Sequence, residues 1–173
     1  MLTGREDLRD RVARWVEAVG HAPGPDALLA YWFERDLRLD PAILALVEEL
    51  ARRGVPQILA TNNEPRRVAF LEREAGAVIG LGTRIERVLA SGRLGVAKPE
   101  RGFFEAVTRA LGVEPAAMLL VDDDATNAEA AQGLGWRAFH LTDTSRAGLA
   151  DWLPLRVRSE PPGAPLPSPR SGA

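Results

Sequence analysis

The chain contains no cysteine, and only one of its 22 Lys+Arg positions is a lysine. Without cysteine there is no disulfide framework and no thiolate chemistry, so a cytoplasmic setting fits. Long apolar runs are also missing, and none approaches the ~20 residues that cross a bilayer as a helix. Excess positive charge is absent. The net charge is −2 and the arginines are scattered among acids, which leaves no nucleic-acid footprint. The N-terminus carries Arg5, Glu6, Asp7, Arg9, Asp10 and Arg11 and is too charged for a signal peptide. What is present is an ordinary globular composition, 46% hydrophobic and 27% charged over 173 residues, enough for one domain with a sizeable core. No internal repeat is visible, and the composition carries no signal for oligomeric state.

The periodicity changes along the chain. Leu8, Val12, Trp15, Val16 and Val19 recur at helical spacing before Gly20, and a second short helix is expected over 26–34. Tyr31, Trp32 and Phe33 read as core or inter-helix packing. From Asp40 onward helices and strands alternate. Asp40-Pro41 is a cap followed by a first-turn proline, and Ile43, Leu44, Leu46, Val47 and Leu50 form a stripe expected to be buried. Strands are expected at 55–60, 87–90, 117–121 and 137–141, with helices from about 65, at 100–111 and at 125–134. This alternation predicts an α/β fold with a parallel sheet covered by helices on both faces. Residues 154–173, with Pro161, Pro162, Pro165, Pro167 and Pro169, read as a disordered tail.

Three polar clusters follow predicted strands, where open α/β sheets bind ligands. Thr61-Asn62-Asn63 offers a hydroxyl and backbone N–H groups at a helix start, a composition that suits either phosphate or a plain helix cap. Lys98, in Gly95-Val96-Ala97-Lys98-Pro99, is the lone lysine and lies 37 residues beyond Thr61. An ammonium is a compact point charge suited to one phosphoryl or carboxylate oxygen. Asp122-Asp123-Asp124 closes the apolar run Met118-Leu119-Leu120-Val121. Adjacent carboxylates repel and raise one another's pKa unless a cation is present, and Mg²⁺ is the natural occupant. A single acidic residue there would serve a helix N-terminus equally well.

In this order the clusters resemble the haloacid dehalogenase superfamily of phosphatases and dehalogenases. Thr61 matches its hydroxyl motif, Lys98-Pro99 its lysine motif, and Asp122, Asp123 and Asn127 its DDxxxN pattern. The resemblance runs from about residue 40 to 143. It implies a Rossmann-like core over 40–153, preceded by a partial helical cap over 1–39. It further implies that Thr61 and Asn62 orient phosphoryl oxygens, Lys98 neutralises them, Asp122 and Asp123 hold Mg²⁺, and Asn127 supports them. The substrate would be a small-molecule phosphate ester, with no nucleic-acid or membrane partner. The acidic run disfavours the dehalogenase branch, whose chemistry needs no metal.

The family's first motif is absent. No apolar strand ending in DxD precedes Thr61, so the chain carries no nucleophile in the family's position. That strand is central in the family's sheet, which points to a truncated reading of a longer protein, or to a natural remnant. The full-length form would hydrolyse phosphomonoesters through an aspartyl-phosphate, while the chain as written is expected to be inactive. The alternative is a non-catalytic phosphate- or metal-binding module, a pseudoenzyme or scaffold. A receiver domain places its acidic pair first and its lysine last, so the order here argues against one.

Overall fold

The computed structural model describes residues 2–20 and 23–153. In chain order the elements are α1 (Leu8–Val19), α2 (Gly24–Asp36), α3 (Pro41–Arg52), β1 (Ile58–Thr61), α4 (Pro65–Arg73), α5 (Gly76–Ile79), β2 (Arg87–Ala90), α6 (Ser91–Leu94), α7 (Arg101–Leu111), β3 (Leu119–Asp122), α8 (Ala125–Gly133), β4 (Arg137–His140) and α9 (Leu149–Trp152). Local chemistry sets the helix boundaries. Asp7 caps α1 through the Arg9 N–H, and Asp40 caps α3 through the N–H groups of Ala42 and Ile43. Gly112 stops α7 in the left-handed region, at φ 66°. The expected Pro-rich tail lies outside the described residues.

The four strands are parallel but form two separate pairs, β1 with β2 and β3 with β4. Ile58 to Thr61 register with Arg87 to Ala90, and Leu119 to Asp122 with Arg137 to His140. Among the described residues each two-stranded pair leaves both of its strands, β1 and β3 included, with one edge outside any strand ladder. Both pairs nevertheless share a core. Phe103, Phe104 and Val107 of α7, with Leu120, Trp136 and Ala138, form its centre, and Ile58, Ala60 and Leu89 pack against it. Phe104 and Trp136 meet edge-on at 5.3 Å, an arrangement aromatic rings favour.

A second cluster joins the first two helices to α4. Leu8, Leu29 and Phe33 pack on Phe70, Leu71 and Ala75. The buried Arg67 guanidinium lies over the rings of Phe33 and Phe70, donates to the Phe33 carbonyl at 2.7 Å and reaches Asp36 at 3.1 Å. Its neighbour Arg66 holds the Asp7 carboxylate through two bonds of 2.6 and 2.8 Å. Two consecutive arginines thus tie α1 and α2 to the start of α4.

Three burial expectations need correction. The α3 stripe has the expected periodicity but no fully buried residue. Of the aromatic trio only Phe33 is buried, while Tyr31 and Trp32 are exposed. Val121, in the run that reads as most buried, is 36% exposed, and β1 is half-buried along its length. No α3 residue takes part in the buried clusters of the described residues. Trp32, though exposed, lines a hollow between α1 and α2 with Leu8, Val12, Trp15 and Leu28. Among the described residues no helix is long and apolar enough to cross a membrane.

Candidate functional site

Lys98 sits where the two strand pairs face each other. Its Nζ donates to the Ala60 carbonyl of β1 at 3.0 Å and to Asp122 Oδ2 at the end of β3 at 2.5 Å. Both side chains are buried, 8% and 5% exposed. Residues separated by 38 and 24 positions are therefore joined by one ammonium. An ammonium has three donors, and these contacts use two.

The three aspartates, alike in sequence, do three different things. Asp122 accepts from Lys98 on one oxygen, and from Asn127 Nδ2 at 2.9 Å and the Asp124 N–H at 3.0 Å on the other. Burial pushes its carboxyl up. The bonds from Lys98, Asn127 and Asp124 outweigh that, and its pKa lies below the ordinary value. Asp123 is exposed, and its carbonyl lies 3.1 Å from His140 Nε2. Asp124 caps α8 by accepting from the Thr126 N–H at 2.8 Å. For Asp122, the Lys98 ammonium is the positive charge beside the acidic run.

The loop after β1 is equally specified. Thr61 Oγ1 accepts from Asn63 Nδ2 at 2.7 Å, which leaves its own proton available for an incoming oxygen. Asn62 turns its amide toward Lys98. Its Nδ2 donates to the Lys98 carbonyl and its Oδ1 accepts from the Lys98 N–H, both at 2.8 Å. The helix cap is not an asparagine but the buried Glu64, whose carboxylate accepts from the N–H groups of Arg66 and Arg67. Gly92 passes directly beneath this loop. Its N–H donates to the Asn63 carbonyl at 3.0 Å, and a Cβ there would lie 2.8 Å from that oxygen.

Thr61, Lys98 and Asp122 therefore come from the carboxyl ends of different strands or the loop beside them, with Asn62 and Asn127 bound directly to Lys98 and Asp122. Sequence reasoning missed Glu64, Arg67 and Gly92, and gave Asn63 only as part of the loop or as a cap. A Glu-Pro pair at a helix start was legible as a cap, whereas nothing local marked Gly92 as a point of close approach.

Mg²⁺, if bound, would have to be held by few protein ligands, as a cation that keeps several waters allows. Among the described residues no three His, Cys, Asp or Glu are grouped to hold a metal ion. Both oxygens of Asp122 accept hydrogen bonds, one of them from the Lys98 ammonium. One buried acceptor, Asn127 Oδ1, has no hydrogen-bond partner. Asp122, the exposed Asp123 carboxylate and this amide oxygen are the oxygen donors the described residues would offer a hard dication.

Residues 2–135 match the family model for haloacid dehalogenase-like hydrolases. The chain is 36% identical over 121 residues to a phosphoserine phosphatase of Thermus thermophilus, covering 68% of this chain and 47% of that one. It is 34% identical over 99 residues to a phosphatase of Mycobacterium tuberculosis, covering 57% and 44%. It thus spans about half the length of these curated relatives. A solved HAD family enzyme of Bacteroides thetaiotaomicron, in complex with magnesium and inorganic phosphate, superposes with a TM-score of 0.69 at 22% identity, covering 82% of this chain and 72% of that one.

Proposed function

The chain belongs to the haloacid dehalogenase-like hydrolases, and on that premise we propose that it is the phosphoryl-binding part of a cytoplasmic phosphomonoester hydrolase acting on a small-molecule phosphate ester. By itself it binds phosphate and does not turn it over. The observation that carries this reading is the buried Lys98 ammonium with one donor unused, close in the fold to a Thr61 hydroxyl whose proton is available. An isolated ammonium would attract an anion by roughly 4 kcal/mol at an effective dielectric of 20 and about 4 Å, and the paired Asp122 carboxylate offsets much of that. The likeness to two phosphatases supports the choice of ligand.

Hydrolysis needs a nucleophile that these residues do not supply. In a longer form, an apolar strand ending in DxD would lie between β1 and β3, where both have an open edge. Its first aspartate would attack phosphorus as the alcohol leaves, and water would then release phosphate from the carboxylate. Mg²⁺ belongs to that longer form, where the added acidic groups would complete a site to which Asp122 and Asp123 contribute. Within this chain, Thr61 donates to one phosphoryl oxygen, Lys98 neutralises another, and Asn127 holds Asp122. None of these steps needs a metal.

The second reading, a non-catalytic phosphate- or metal-binding module, is favoured by the buried Lys98–Asp122 pair, in which each charge already has its partner. Both readings are tested on the purified chain with inorganic phosphate, by phosphorus NMR, and with an aryl phosphate in excess Mg²⁺. Binding without turnover is expected, because losing a positioned acid/base alone removes about 10²–10⁴-fold and the nucleophile is missing as well. Appending an apolar DxD strand should restore hydrolysis under the first reading and leave the chain inert under the second. Mg²⁺-dependent hydrolysis by the unextended chain, abolished in Lys98→Ala, would show that the nucleophile lies within it, with Asp122 the first residue to reconsider. Absence of phosphate binding would refute the first reading and the phosphate-binding form of the second.

A further inference from the structure

We propose that Asn62 is a positioning residue for Lys98, acting on the ammonium through the lysine's own backbone and not through direct contact with a ligand. A side-chain amide presents the same donor and acceptor as a peptide group. Asn62 uses both on one residue, accepting from the Lys98 N–H and donating to the Lys98 carbonyl at 2.8 Å each, across 36 positions. A two-point contact of this kind fixes orientation as well as distance.

The rest of the loop explains why such an anchor is needed. Gly95 N–H bonds to the Ser91 carbonyl ahead of Lys98, and Glu100 N–H bonds to the Ala97 carbonyl across it. They leave the Lys98 peptide groups to Asn62. From that backbone the lysine reaches Ala60 and Asp122 through four side-chain torsions, each with three staggered wells. Anchoring the Cα to the end of β1 selects the few combinations that reach both acceptors. Asn62 immediately follows Thr61, so one turn of chain sets the hydroxyl and, through the amide, the ammonium. Both donors of the proposed phosphoryl site are then positioned by the carboxyl end of a single strand.

The effect on ligand binding rests on the phosphoryl-binding reading, whereas the effect on Lys98 does not. Because Lys98 is the sole lysine, the full chain labelled with ¹⁵N-lysine gives one backbone amide and one ammonium signal. In the wild-type chain the Lys98 amide is expected to be protected from hydrogen exchange, and the ammonium to give a single, slowly exchanging resonance. Asn62→Ala should release the amide, shift or broaden the ammonium signal, and weaken binding of inorganic phosphate roughly tenfold, the scale of one misplaced charge-assisted hydrogen bond. Asn63→Ala, which frees Thr61 instead, should leave the ammonium resonance where it is. A folded Asn62→Ala chain with an unchanged ammonium signal would overturn the proposal. If that variant does not fold, the wild-type amide still decides, since exchange at the rate of an open loop overturns it equally. A wild-type chain that binds no phosphate would sink the functional reading while the two lysine signals still judge Asn62.

Discussion

Replacing Lys98 with methionine should be among the most costly single changes in this protein. The side chains of the pair are 8% and 5% exposed and lie 2.5 Å apart. Removing one member of a buried pair costs about 3–5 kcal/mol, chiefly because the other charge stays behind without its partner. Asp122 would keep its bonds from Asn127 and from the Asp124 N–H, which argues for the lower end, about 3 kcal/mol. Against the ~5–15 kcal/mol of a typical domain that is a large fraction. Lys98→Met combined with Asp122→Asn removes the stranded charge, while an amide oxygen can still accept from Asn127 and Asp124. The double variant should recover about 2 kcal/mol of the loss, a coupling on the scale of contacting residues. The sign with pH follows from the depressed pKa of Asp122. Its stabilising contribution is complete above the ordinary value of 3.8 and is lost as pH falls through the lower folded value. The Lys98→Met penalty should therefore be full at neutral pH and shrink in acid. Urea denaturation of the four proteins of the cycle, at neutral pH and again below the ordinary carboxylate range, measures both effects. A double variant no more stable than Lys98→Met, or a penalty that grows in acid, would refute the reasoning.

Two further changes test other joints. Asp7 caps α1 and pairs with Arg66. That side-chain bond, followed by the Arg9 N–H, holds its pKa down to about 2 against the upward push of burial. Asp7→Ala should cost about 1 kcal/mol for the cap and less than about 1 for a half-exposed ion pair. Thermal melts should find that loss above pH 3.8 and find it fading as pH falls toward about 2; a loss independent of pH would assign Asp7 a purely steric role. At Gly92 an added Cβ would lie 2.8 Å from the Asn63 carbonyl oxygen and 2.9 Å from Glu64 Cα. Gly92→Ala should thus displace the loop that carries Thr61 and cost about 1–3 kcal/mol. Gly133→Ala, in α8 with nothing within 4 Å of a Cβ, should be neutral or stabilise by up to about 1 kcal/mol. Equal melting temperatures for these two variants would contradict the packing argument.

Much of this protein is legible without coordinates because the information is local. Asp40-Pro41 starts α3 and Gly112 ends α7 through bonds made within a few residues, and the order of Thr61, Lys98 and the acidic run points to a family. The same periodicity that placed the α3 stripe could not say how deeply it would be buried, since that depends on what the rest of the chain packs against it. Asp122, Asp123 and Asp124 are chemically identical in sequence. Only the path of the chain makes one the partner of Lys98, leaves the next in solvent, and turns the third into the cap of α8. Asn62 read as one more donor beside Thr61, yet its amide meets a peptide 36 residues away. Caps and periodicities are decided over one or two turns of chain. Which cation meets which carboxylate is decided by the packing of β1, β3 and the loop before α7 against one core, and that is a property of the folded whole.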